Sequence, residues 1–161
     1  MASSASKQPP PIGFVKFAPE YQLELVQMWR ESFAVGVGVD EPHTVQEQID
    51  YLNSVIVPNN SVRVAFSGSS LVGFIAASME SIEQLYVRVG WHRRGVGTEL
   101  LNWAKSQSNG SLELYTFERN LGAQAFYERA GFQVVARGFE PTWQLNDLKY
   151  RWSTRPRANA V

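Results

Sequence analysis

Apolar and polar positions alternate over short runs in this chain, and longer stretches with apolar residues three or four apart lie between them. Ile12 to Phe17 alternates and is predicted as a first strand. Pro19-Glu20 opens a helix that puts Tyr21, Leu25, Met28 and Trp29 on one face, a stripe best explained by core packing. Gly36 and Gly38 break that pattern, so Val35 to His43 is expected to have no regular structure. Thr44-Val45-Gln46-Glu47 is a capping box, which starts a second helix expected to reach about Ser54. Val62 to Phe66 and Leu71 to Ala77 read as strands joined through Ser67-Gly68-Ser69-Ser70, and another strand starts at Ile82 with Leu85, Val87 and Val89. After Gly90, Gly95 and Gly97 the period lengthens: Leu100, Leu101 and Ala104 recur as on a helix. A strand from Leu112 to Phe117 follows, then a helix capped by Asn120 and ended by Gly131. Strands at Gln133 to Gly138 and Leu148 to Trp152 complete an α/β (α+β) order, β-α-α-β-β-β-α-β-α-β-β.

Composition narrows the picture without naming a chemistry. At 161 residues and 44% hydrophobic, the chain can build one domain with a sizeable core, expected over residues 12–152. Met1 to Pro11 is Ser- and Pro-rich and reads as a disordered lead-in, and residues 153–161 read as a polar tail. Lys and Arg total 15, as do Asp and Glu, so the net charge of zero argues against nucleic acid and anionic membrane partners. Cysteine is absent, which excludes disulfides, thiolate zinc sites and a cysteine nucleophile, and fits a cytoplasmic protein. His43 and His92 are not spaced as metal ligands, and no metal is expected.

The chemistry concentrates between Ile82 and Leu101, where a strand, a glycine-bearing loop and a helix start follow one another. Such a turn aims several backbone N–H groups, and the positive end of the helix dipole, at one place. Arg93 and Arg94 add two cations there, so the loop suits a phosphate, and a pyrophosphate better than a single anion. It is not a P-loop, because Gly97 is followed by Thr98-Glu99 and not by lysine. Nor is it a dinucleotide fingerprint, because Leu100 stands where a third glycine is needed.

What remains, His92-Arg93-Arg94-Gly95-Val96-Gly97, resembles the Gln/Arg-x-x-Gly-x-Gly/Ala signature of the GNAT acyltransferases, with His92 departing at the first position. Asn120, Ala123, Phe126, Tyr127, Gly131 and Phe132 resemble that family's second block, Asn-x-x-Ala-x-x-Phe-Tyr-x-x-x-Gly-Phe. The two motifs stand in the family's order and together span Ile82 to Phe132. The resemblance implies a single GNAT fold: a mixed, mostly antiparallel sheet with a splayed parallel strand pair, flanked by helices. It also implies an N-acetyltransferase that uses acetyl-CoA as cosubstrate and a primary amine, of a small molecule or a protein, as acceptor. Nothing in the sequence decides whether the chain forms a homodimer, and a non-catalytic acyl-CoA-binding regulatory module is the rival reading.

By the same resemblance, backbone amides around Leu85, Tyr86 and Val87 would hold the thioester carbonyl and pair with pantetheine. Val89 replaces a proline usual there. His92, Arg93, Arg94, Gly95, Val96, Gly97 and Thr98 would grip the pyrophosphate. Asn120 would contact the pantetheine or phosphate arm, Ala123 and Phe126 would join it in binding the cosubstrate, and Tyr127, near the sulfur, would protonate the departing thiolate. Glu83 is the candidate general base, expected on the strand face of Leu85 and Val87 if the strand is regular, with Glu80 as alternative. Asp40, Glu41, His43, Glu140 and Trp143 are candidates for the acceptor side, where an acidic pair would suit a cationic amine. Asn120 serves equally as a plain helix cap, and Tyr127 equally as a packing residue.

Overall fold

A computed structural model describes residues 8–154; the rest of the expected lead-in (1–7) and of the tail (155–161) lies outside the described residues. Strands β1 (Ile12–Lys16), β2 (Ser61–Ser67), β3 (Ser70–Ala77) and β4 (Ile82–Val87) form one antiparallel sheet in chain order. Strands β5 (Ser111–Phe117), β6 (Gln133–Glu140) and β7 (Leu145–Ser153) form a second, with β7 in the middle. Among the described residues, the parallel pairing that links the sheets is a single bridge, Ser81 to Glu113, beside which the Glu113 amide donates to the Glu80 carbonyl at 3.0 Å. Beyond it β4 and β5 diverge, which is the expected splay carried further: two sheets joined at one corner.

Helix α1 (Gln22–Val37) buries Leu25, Val26, Met28, Trp29, Phe33 and Val37 against the first sheet, each such side chain contributing about 1.5–3 kcal/mol. It runs further than the sequence suggested. Gly36 sits inside it, close to Asn120, whose Nδ2 would lie 3.1 Å from a Cβ at that position. Only Gly38, at φ 79°, ends the helix, donating its amide to Ala34 O. The second helix is also longer than expected. Its capping box is present in α2 (Val45–Tyr51), where Glu47 N donates to Thr44 Oγ1 and Thr44 N to the Glu47 carboxylate. It then continues through a π-helical turn (Leu52–Ile56) into the short α3 (Val57–Asn59).

Helix α4 (Val96–Gln107) crosses from the first sheet to the second and buries Val96, Leu100, Leu101 and Ala104. Helix α5 (Leu121–Arg129) starts at Asn120, whose Oδ1 accepts from Ala123 N at 3.1 Å, and its chain turns at Gly131 into β6. Strands β6 and β7 each extend past the predicted limits, because the turn between them is tight: Gln144 takes φ 56° and Glu140 accepts from Trp143 N at 2.6 Å. The turn between β2 and β3 shrinks to Gly68-Ser69 for the same reason, Gly68 supplying φ 59°.

Candidate active site

The divergence of β4 and β5 opens a cavity of about 450 Å³. Its walls are α1 (Trp29, Phe33), β4 (Ile82 to Tyr86), β5 (Leu114 to Phe117), the start of α5 (Asn120, Ala123, Tyr127) and the β6–β7 turn (Trp143). Strand β4 is the edge of its sheet, so one side of its backbone faces this opening. The Arg88 amide bonds back to Val72 O at 2.8 Å. Since antiparallel residues alternate between facing the partner and facing away, the amides of Leu85 and Val87 point toward the cleft and that of Tyr86 toward β3. The Val87 carbonyl, which also faces away from β3, accepts from the buried Ser32 Oγ at 2.8 Å.

Glu83 does not share the face of Leu85 and Val87. The register of β3 with β4 shifts between Ala76, opposite Gln84, and Ala77, opposite Ile82, leaving Glu83 as the extra residue of a bulge. Ile82 therefore packs with Leu85 and Val87 in the core under α4, although it is an odd number of residues away from them. The Glu83 carboxylate lies near Tyr51 of α2: the Tyr51 hydroxyl is held above its ordinary pKa by burial and then by Glu83. Glu83 still lines the cavity, whereas Glu80, the alternative base, is exposed at the closed corner and does not line it.

The loop leading to α4 lies beside the cavity, not in its wall. His92, Arg93 and Arg94 are exposed, Arg93 at φ 62° and Arg94 with its guanidinium 4.7 Å from the Trp91 ring centroid. Gly95, at φ 85°, is the N-cap of α4, and no side chain caps the helix there. Its first-turn amides, through Thr98, are the free donors that an anion would meet. Val96 itself is buried in the core. Gly97 is helical; a Cβ there would lie 3.2 Å from the Phe126 ring and 3.5 Å from Val87 Cγ2, so β4, α4 and α5 meet at this glycine. Gly97, Val87 and Phe126 thus stand between the loop and the cavity-lining Ala123 and Asn120.

Tyr127 projects from α5 into the cavity wall and is 7% exposed. Burial, with a smaller contribution from the nearby Tyr86, pushes its hydroxyl well above the usual tyrosine range, so it keeps its proton at neutral pH. Its ring packs on Phe126, Phe132 and Tyr150 at centroid distances of 5.2, 5.6 and 6.2 Å. Burial raises Tyr86 to about 12, a hydrogen bond with Trp29 opposes this, and Glu41 adds to it.

Of the acceptor-side candidates, Glu41, Glu140 and Trp143 line the cavity, while Asp40 and His43 do not. His43 instead holds the Glu41 carboxylate through Nδ1 at 2.5 Å. Other lining residues escaped the sequence reading, among them Trp29, Phe33, Phe117 and Asp147. Trp29 belongs to the stripe read as core, and Phe33 lies one turn beyond it on α1. Phe117 and Asp147 sit opposite one another at the start of the β5–β7 ladder, and Asp147 lies just before the predicted strand. A lone Asp upstream of an apolar alternation carries no sequence signal for such a role. Among the described residues, no group of three His, Cys, Asp or Glu is placed to hold a metal ion, and no helix is long and apolar enough to cross a membrane.

Comparison with known proteins agrees with this geometry. A Mycobacterium tuberculosis protein named probable N-acetyltransferase is 27% identical over 150 residues, covering 83% of this chain and 81% of its own length. Among solved structures, YjaB from Escherichia coli superposes with a TM-score of 0.72 at 24% identity, covering 88% of this chain and 97% of the other. The PaiA N-acetyltransferase of Thermoplasma acidophilum, solved in complex with coenzyme A, gives 0.68 at 19% identity, covering 86% and 98%. Residues 23–132, which hold both motifs, the cleft strands and α1, match the model of the acetyltransferase (GNAT) family, and the chain belongs to that family.

Proposed function

We propose that this acetyltransferase moves the acetyl group of acetyl-CoA to a primary amine by direct attack in a ternary complex. The observation that carries the reading is convergence: Leu85 with its outward amide, Tyr127 and Glu83 all border one cavity, and the outward amide of Val87 follows on β4 toward the uncapped start of α4. Acetyl-CoA would lie with its pyrophosphate on the amides of residues 95–98 beside Arg93 and Arg94, and its pantetheine arm between β4 and α5. When bound it supplies the activated acyl carbon; the rest falls to the chain. The strand amides donate to the thioester oxygen, where negative charge builds up as the amine attacks. Glu83, directly or through water, takes a proton from the ammonium, because only the neutral amine is a nucleophile. The C–N bond forms and the C–S bond breaks; Tyr127 gives its proton to the leaving thiolate, and the second proton that the nitrogen sheds on becoming an amide returns to Tyr127, directly or through solvent, while Glu83 releases the first to solvent.

The test is calorimetric titration of the purified chain with acetyl-CoA, followed by thiol release measured against a panel of amines. Binding with amine-dependent release of CoA is the expected result. Binding without turnover of any amine would leave the regulatory acyl-CoA-binding module as the better reading.

A further inference from the structure

Ser32 is the polar exception among the buried side chains of α1, which are otherwise apolar, and it is only 9% exposed. A serine inside a helix ordinarily turns its hydroxyl back to the carbonyl four residues earlier. Here the Oγ reaches out of the helix and donates to the Val87 carbonyl at 2.8 Å, across 55 residues of chain. A hydroxyl has one proton to give, so Met28 Sδ, 3.5 Å from the same oxygen, is left as a packing contact.

The accepting group is as informative as the donor. Val87 is the last residue of β4, the edge strand of its sheet. It stands opposite Gly73, and the next amide, that of Arg88, closes the ladder on Val72 O. The chain then leaves the sheet, Trp91 N returning to Arg88 O in the turn toward the loop. The N–H and C=O of Val87 both lie on the outward side, which the ladder with β3 does not fix. Ser32 fixes it instead. Val87 is also where β4 meets α4 and α5, its Cγ2 3.5 Å from a Cβ placed on Gly97. The Ser32 bond adds α1 to that junction, and Trp29 and Phe33 of the same stretch of α1 line the cavity. Strand ends fray, whereas an amide that holds a developing negative charge acts because it is already aimed.

Resting on the proposed acetyl transfer, we infer that Ser32 is a positioning residue for it: by holding the Val87 carbonyl, it keeps the outward edge of β4, with the amides of Val87 and Leu85, aimed at the acyl oxygen of acetyl-CoA. Ser32 touches no reacting atom and moves no proton. Its effect falls on how the thioester carbonyl is held, and not on the phosphate end of the cosubstrate, which belongs to the loop before α4.

The experiment compares wild type, Ser32→Ala and Ser32→Thr, each loaded with acetyl-CoA that carries an isotopic label in the acetyl carbonyl. Difference infrared spectroscopy reads the stretching frequency of that carbonyl, which falls as hydrogen-bond donors polarise it. Binding to wild type should lower the frequency from its value in free acetyl-CoA, and Ser32→Ala should lose most of that shift. With the best amine of the panel, Ser32→Ala should also lower kcat ~tenfold or more while the KM for acetyl-CoA stays within about twofold. Ser32→Thr keeps the hydroxyl and should stay close to wild type in both readouts. The frequency is read on bound cosubstrate and needs no acceptor, so neither a partly misfolded preparation nor a poor amine obscures it. An equal shift in wild type and Ser32→Ala, or equal losses in the alanine and threonine variants, would overturn this inference and leave acetyl transfer standing. Failure of the wild type to bind acetyl-CoA, or to turn over any amine, would overturn both.

Discussion

Replacing Tyr127 with phenylalanine isolates one hydroxyl. The ring keeps its contacts with Phe126, Phe132 and Tyr150, so packing in the core is preserved. The stability cost should not exceed that of one hydrogen bond, ~1 kcal/mol, which in a domain of this size lowers Tm by only ~2–4 °C. The kinetic cost should be much larger. A positioned general acid contributes ~10²–10⁴-fold, or ~2.7–5.5 kcal/mol of barrier. The pH dependence separates this role from a merely structural one. Because burial raises the Tyr127 pKa, the wild-type acid stays protonated through the assay range and produces no alkaline decline of its own. A free thiol has a pKa of ~8.5, so above that pH the thiolate leaves unaided and the deficit of Tyr127→Phe should narrow. It should narrow again with a thioester of a more acidic thiol. The assay is kcat/KM against pH for one amine, with acetyl-CoA affinity measured separately and expected to be unchanged. A variant within about twofold of wild type across the range would refute the acid role and leave positioning and the strand amides as the source of catalysis.

Two further outcomes are expected. Gly95→Val forces a branched residue into φ 85°, and Gly97→Val drives side-chain atoms into Phe126 and Val87; both should abolish measurable coenzyme A binding by calorimetry, with Gly95→Val also losing ~1–2 kcal/mol of stability for its left-handed backbone. Glu113 is held below the ordinary glutamate pKa, first by hydrogen bonds from Lys149 and Arg151, so the stability it contributes is present above the unfolded-state pKa and is lost as pH falls through the lower folded one. In Glu113→Gln, Tm should fall less steeply than in wild type over that acid interval and be lower than wild type near neutrality; parallel acid limbs in the two proteins would contradict the assignment.

The elements were legible where each rests on local chemistry: a capping box at Thr44, an Asn cap at residue 120, glycines where α4 begins. Errors arose where a local signal met a distant partner. Gly36 looks like a helix breaker until Asn120, far along the chain, is seen packed beside it. Strict alternation placed Glu83 with Leu85, and nothing in the sequence of β4 betrays the bulge that its pairing with β3 imposes. The full lining of the cavity was the least legible part. Glu41, Glu83, Glu140 and Asp147 are separated by long stretches of chain and line one cavity only when the sheets diverge. Trp29 and Phe33 also serve both core and cavity, and periodicity reports only the first of these.

The split into two sheets also bears on how the chain reaches its native state. All strands of the first sheet come from residues 12–87 and all of the second from residues 111–153. Every ladder is antiparallel, and the slow, entropically expensive parallel closure is confined to the Ser81–Glu113 bridge. Each half can therefore zip up from its own contiguous segment before the two dock through α4, whose Leu100, Leu101 and Ala104 join a core drawn from both halves. Docking makes the cleft as it completes the core, so the ligand site is among the last parts of the molecule to exist during folding.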